Sequence, residues 1–127
     1  LSINLNSYNN QEMEYQFVIQ DIANNSKESR RTKVKVDTKK PVINSFVNST
    51  NGRRITFTLN ITELNFDEVN YIDYNDTRPT TRTLCSSLRN VVCNSTKAFR
   101  AGNHNVTIMV LDDAGNSVQK NVKFIVI

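Results

Sequence analysis

Apolar and polar residues alternate along most of this chain with a period of two, the mark of strands that bury one face. Ile55, Phe57, Leu59 and Ile61 form the longest clean run, and Val106, Ile108 and Val110 form another. Tyr15, Phe17 and Ile19 repeat the pattern nearer the N-terminus, as do Leu1, Ile3 and Leu5 more briefly. Val34 and Val36 share one face of a returning strand whose other face is Arg31, Lys33 and Lys35. Further strands are expected over 42–47, 69–74, 104–111 and 117–127, with a short piece at 98–99. Segment 48–52 reads as a turn, 64–68 as a loop or single helical turn, and 83–92 is poorly patterned. No segment longer than about eight residues keeps a period of 3.6, so the fold class expected is all-β.

One phrase occurs twice. Asp21-Ile22-Ala23-Asn24-Asn25-Ser26 and Asp112-Asp113-Ala114-Gly115-Asn116-Ser117 lie 91 residues apart, each between two strand patterns. A period of this size suits one immunoglobulin-like antiparallel β-sandwich of about 100 residues. The polar stretch Asp37-Thr38-Lys39-Lys40, closed by Pro41, reads as a boundary. The expected organisation is therefore a partial repeat over 1–38, carrying C-terminal strands only, and a whole sandwich over 39–127. Composition agrees: Gly is scarce, with three residues, and the abundant Asn takes over left-handed turn positions. Trp is absent, so the buried Trp of antibody domains has no counterpart.

The net charge of +4 is mild, and no nucleic-acid signature accompanies it. The longest purely apolar run is Phe124 to Ile127, so no membrane insertion is expected of this segment. Cys85 and Cys93 read as a disulfide closing a small loop, with two reduced thiols as the alternative. A disulfide implies an oxidising compartment. The pattern Asn-x-Ser/Thr occurs at Asn24, Asn48, Asn60, Asn75, Asn94 and Asn105, about twice the chance expectation for this composition. Asn60 and Asn105 fall on the outward parity of their strands, Asn48, Asn75 and Asn94 in polar connections, and Asn24 in a turn. All six are candidate glycosylation sites.

The segment Gly102-x-His104-x-Val106-x-Ile108-x-Val110-x-Asp112-x-Ala114-Gly115-Asn116 resembles the closing hairpin of bacterial and archaeal immunoglobulin-like cell-surface repeats. Val36-Asp37-Thr38-x-x-Pro41-x-Ile43 resembles the junction between two of them. A cysteine pair upstream of the Gly102 segment recurs in some archaeal versions. The match covers about 15–43 and 83–127, with departures at Ile22, Asn24 and Asp113. The resemblance implies an extracellular structural or adhesive role and no particular ligand.

Catalytic chemistry has little footing. His104 is the sole histidine and reads as a surface residue beside Gly102, and Asp67-Glu68 and Asp112-Asp113 point to opposite faces of their strands. Neither a catalytic nor a cofactor-binding residue is expected, and no metal. Asp37, Asp112, Asp113 and Asn116 offer oxygens for calcium, but Lys39 and Lys40 sit at the same junction and favour charge pairing there. Lys27, Arg30, Arg31, Lys33 and Lys35 read as a solvated strand face. Lys120, on the parity of Val118 and Val122, is the one hint of an isopeptide crosslink. The expected function is a non-enzymatic extracellular module of a surface, pilus-like or fibre-forming glycoprotein, its partners being neighbouring repeats or identical subunits. The alternative is an adhesin whose loops near 48–53 and 75–83 recognise a surface glycan or protein.

Overall fold

The computed structural model describes Asn9 and residues 11–127. Among them it holds eleven strands and no helix, in four antiparallel sheets. The strand expected at Leu1, Ile3 and Leu5 lies outside the described residues. The chain divides into two compact units, Leu1–Lys39 and Lys40–Ile127.

The first unit carries β1 (Glu12–Tyr15), β2 (Val18–Gln20), β3 (Ser26–Glu28) and β4 (Thr32–Lys35). β1 pairs with β4 and β2 with β3, so together they make one interrupted hairpin. Between the paired pieces, Gln16 and Phe17 on one arm face Ser29, Arg30 and Arg31 on the other. The extra residue is absorbed as a bulge. There the Phe17 N–H donates to Ser29 Oγ at 2.8 Å, the Ser29 N–H donates to the Phe17 carbonyl at 2.8 Å, and Gln16 Nε2 donates to the Ser29 carbonyl at 3.1 Å. Phe17, expected on an inward face with Ile19, is 66% exposed, and Ile19 is 73% exposed. Among the described residues of this unit, the two-stranded ribbon has no second sheet layer.

The second unit is an antiparallel β-sandwich. Its strands are β5 (Val42–Asn51), β6 (Arg54–Thr62), β7 (Phe66–Asp73), β8 (Arg82–Cys85), β9 (Val92–Ala98), β10 (Gly102–Asp112) and β11 (Ser117–Val126). One sheet has the order β5-β6-β9 and the other β11-β10-β7-β8. With the seven strands lettered A, B, C, C′, E, F and G, the sheets are A-B-E and G-F-C-C′, an immunoglobulin-like arrangement without a strand D. Ile55, Phe57, Leu59 and Ile61 from β6 meet Val69, Tyr71, Val106, Ile108 and Val110 from β7 and β10 in one buried cluster, closed by Leu84, Cys93, Phe99 and Val126. Side chains on the inward parity of the two central strands thus form the core, at roughly 1.5–3 kcal/mol for each fully buried large aliphatic or Phe.

Several strands outrun their hydrophobic pattern. β5 continues through Asn51 because Ser49, Thr50 and Asn51 keep their register with Thr56, Ile55 and Arg54. A two-residue turn at Gly52 (φ 60°) and Arg53 follows. β9 covers Val92–Ala98 rather than a brief 98–99 piece, since Thr96 and Thr56 hydroxyls bond at 2.7 Å on the face away from the core. The ladder is built from backbone groups, and a polar face does not end it.

The two copies of the repeated phrase fold alike. Asp112 Oδ1 accepts the N–H groups of Ala114 (2.9 Å) and Asn116 (2.8 Å), and its Oδ2 accepts Asn116 Nδ2 (2.9 Å). Asp21 Oδ1 accepts the Asn25 N–H (2.9 Å) and its Oδ2 accepts Asn25 Nδ2 (3.1 Å). The Asp112 N–H reaches the Asn116 carbonyl and the Gly115 N–H the Asp112 carbonyl; Asp21, Asn25 and Asn24 make the same two bonds. Gly115 (φ 87°) and Asn24 (φ 65°) both occupy the left-handed region, where Asn is the usual substitute for Gly. The adjoining ladders also agree. The pairs Val18↔Glu28, Ile19↔Lys27 and Gln20↔Ser26 recur 91 residues on as Met109↔Gln119, Val110↔Val118 and Leu111↔Ser117. Replacing Asp112 by Ala strips several N–H groups of their acceptor and is expected to cost about 1–3 kcal/mol in urea unfolding. Asp113→Ala, at an exposed side chain, is expected to stay within about 0.5 kcal/mol.

Candidate functional site

The sandwich has two poles. At one, β5 turns into β6, β7 leads into the loop 74–81, and β9 leads into β10. Sheet register brings Asp73, at the end of β7, beside the start of β10. His104 lies there and is not the surface residue expected. Its side chain is 9% exposed, Nδ1 lies 2.5 Å from Asp73 Oδ2, and Nε2 lies 2.8 Å from the Arg100 carbonyl. Phe124 stacks against the ring at 5.2 Å and Phe99 meets it edge-on at 5.0 Å. Both ring nitrogens face oxygen acceptors, an arrangement that favours the doubly protonated ring. Asp73 Oδ1 also accepts the N–H groups of Asn75 and Asn105, each at 3.1 Å. The pair therefore ties the ends of β7 and β10 to the loop at Arg100.

Burial pulls the His104 pKa down, but the Asp73 hydrogen bond, the Arg100 carbonyl and the charges of Asp73 and Asp76 outweigh it, leaving the pKa above 6.5. With both ring nitrogens hydrogen-bonded, the ring braces the ends of the two strands. Above it lies a cleft of about 480 Å³ whose walls include Arg78, Arg82 and Arg100. Arg82 Nη2 pairs with Asp76 Oδ2 at 3.1 Å, and the cleft sets its three arginines beside the carboxylates of Asp73 and Asp76. The sequence did carry a trace of this pair. Asp73 shares the inward parity of Val69 and Tyr71, and His104 that of Val106 and Ile108, so each is a polar residue on a core-facing row.

Cys85 and Cys93 form a disulfide, with Cα atoms 6.0 Å apart. It joins β8, an edge of one sheet, to β9, an edge of the other. Of the six sequon asparagines, Asn24 sits in its turn and Asn75 in the loop after β7, while Asn48 and Asn94, expected in connections, lie on β5 and β9. Asn60 and Asn105 use their side-chain oxygens, accepting Asn44 Nδ2 at 3.0 Å and Asn121 Nδ2 at 2.8 Å. Asn75 instead donates its Nδ2 to the Asn103 carbonyl at 3.3 Å. Asn94 pairs with Thr58, and Asn60 with Val92, so Asn60 and Asn94 are diagonal neighbours on the outer face of their sheet.

Asp112 spends both carboxylate oxygens on its own turn, and Asp37 Oδ1 accepts the Lys39 N–H at 3.1 Å. Arg31 lies 3.9 Å from Glu14 with both side chains well exposed; Lys27, Arg30 and Lys33 are exposed too. Lys120 is exposed, which removes the buried amine that an isopeptide bond needs. Tyr71 is buried and Tyr74 exposed. No helix among the described residues is long and apolar enough to cross a membrane. In comparison with known proteins, no protein family matches the chain, and no curated protein matches it.

Because the folded pKa of His104 exceeds its ordinary 6.5, the stability it adds is complete below about pH 6.5 and fades as pH rises through the folded value. Urea unfolding at pH 5.5, 7 and 9 is expected to show this loss, and His104→Gln is expected to flatten it. Replacing both Cys85 and Cys93 by Ala is expected to lower stability by about 2–3 kcal/mol.

Proposed function

We propose that this chain is a non-enzymatic, extracellular structural module of a cell-surface, pilus-like or fibre-forming glycoprotein assembled from repeated immunoglobulin-like sandwiches. The observation that carries the reading is the duplicated hairpin. Its second copy closes a complete sandwich, and its first copy has the same turn bonds and the same ladder register. Phe17 and Ile19 occupy, 91 residues earlier, the places of Ile108 and Val110, which are fully buried. A sheet like β5-β6-β9 would cover them, supplied by the same polypeptide or, by strand exchange, by another subunit.

The sandwich suits a mechanical task. The chain enters at the pole where Val42 pairs with Thr62 and leaves at the opposite pole, where Val126 pairs with Gly102. Tension between these ends runs along the strands, so ladder bonds are loaded together in shear and not opened one at a time. The disulfide and six sequons support an oxidising, glycosylating compartment.

A second reading, an adhesin that binds an anionic surface glycan, is favoured by the arginine-walled cleft of about 480 Å³. Neighbouring repeats or identical subunits remain the partners of the first reading.

The test is the intact mass of the native protein before and after reduction and deglycosylation. A gain of about two daltons on reduction, together with excess mass that deglycosylation removes, is expected of a secreted, coated module. A bare polypeptide mass with free thiols would overturn the extracellular assignment.

A further inference from the structure

The charges of the sandwich are segregated by pole. Arg53, Arg54, Arg78, Arg82 and Arg100 all lie at the end where β6 and β10 begin, and all five are exposed. Arg54 pairs with Ala98, and the Arg53 carbonyl accepts the Phe99 N–H at 2.8 Å, which gathers the turn and both loops to that end. The two carboxylates there are already engaged, Asp73 with His104 and Asp76 with Arg82. The opposite pole carries the carboxylates of Glu63, Asp67, Glu68 and Asp113 against Lys40 and Arg89, while Asp112 is buried in its own turn. The Asp113 N–H donates to the Asn65 carbonyl at 2.8 Å, so the β10–β11 turn and the β6–β7 loop share that end.

This polarity coincides with the direction of the chain, which enters at the acidic pole and leaves at the arginine pole. Two copies laid end to end in the same direction bring unlike poles together. Reversing one copy brings like poles together, which costs energy. From this we infer that the arginine pole is a docking surface for the acidic pole of a second copy of the same sandwich. The contact is head-to-tail and heterologous, so it does not close on itself and extends into a line. Such a contact depends on exposed charges and is weakened by salt. The inference stands on charge placement and holds whether the module is a spacer or an adhesin.

The test is sedimentation of the full chain at high concentration, in about 20 mM and about 500 mM salt. Concentration-dependent association is expected at low salt, weakened about tenfold or more at high salt. Arg78→Glu with Arg100→Glu cancels the positive charge of the arginine pole, and Asp67→Lys with Asp113→Lys makes the acidic pole basic. Each double variant alone is expected to sediment as a monomer, with unchanged circular dichroism, and an equal mixture of the two is expected to associate again. A wild-type chain that stays monomeric at low salt overturns the inference. So does association indifferent to both variants, or a mixture that fails to recover it. Binding of a sulfated polysaccharide that Arg78→Glu with Arg100→Glu abolishes, in a chain that does not self-associate, also overturns it and makes a polyanion the partner.

Discussion

The second unit depends on one constraint, that the inward rows of β6 and β10 face each other across the gap between two sheets. Ile55, Phe57, Leu59 and Ile61 on one side and Val106, Ile108 and Val110 on the other have no exposed surface. A slip of one residue in either strand would turn every one of these side chains to water. Register is therefore fixed by burial first, and the turns and edge strands conform to it. The aspartate turn at Asp112 caps β10 where the row ends. The His104–Asp73 brace occupies the other end of the same strand, where the inward row runs out of apolar partners.

That brace is also the clearest case of a polar pair tolerated at a core margin. Its acceptors and donors are matched: two for the ring, three N–H groups for the carboxylate. A buried ion pair short of partners costs stability, whereas this one is filled by backbone groups that the strand ends would otherwise leave unpaired. Phe99 and Phe124 then shield the His104 ring, Phe124 by stacking on it and Phe99 edge-on.

Period-two patterning was enough to read the all-β class, the central strands and their buried rows, because burial writes directly into alternation. The repeated turn was legible for a different reason: its Asp and Asn are chosen by local hydrogen bonds within five residues. What patterning missed was non-local or was carried by the backbone. β5 and β9 run on through Asn48 and Asn94 because a solvated ladder needs no apolar residue, so these sequons looked like loops. His104 looked exposed because its partner lies 31 residues away, and a strand's parity does not tell which strand end it will meet. The charge separation between poles was invisible in the mild net charge, since it arises only when turns distant in sequence are gathered at one end.

The disulfide has a consequence for how the sandwich comes apart. β8 and β9 are the edges of the two sheets on one flank, and Cys85–Cys93 binds them together. On the other flank the edges are β5 and β11, with a cleft of about 590 Å³ lined by residues of both, including Ile43, Phe46 and Val118. The two sheets thus resemble the covers of a book bound along one spine. Opening begins at the unbound fore-edge, and that edge consists of the strands by which the chain arrives and departs. Amide protons near this fore-edge are then the first to meet solvent, while the bound spine keeps the pages in order and lets the covers close again in register.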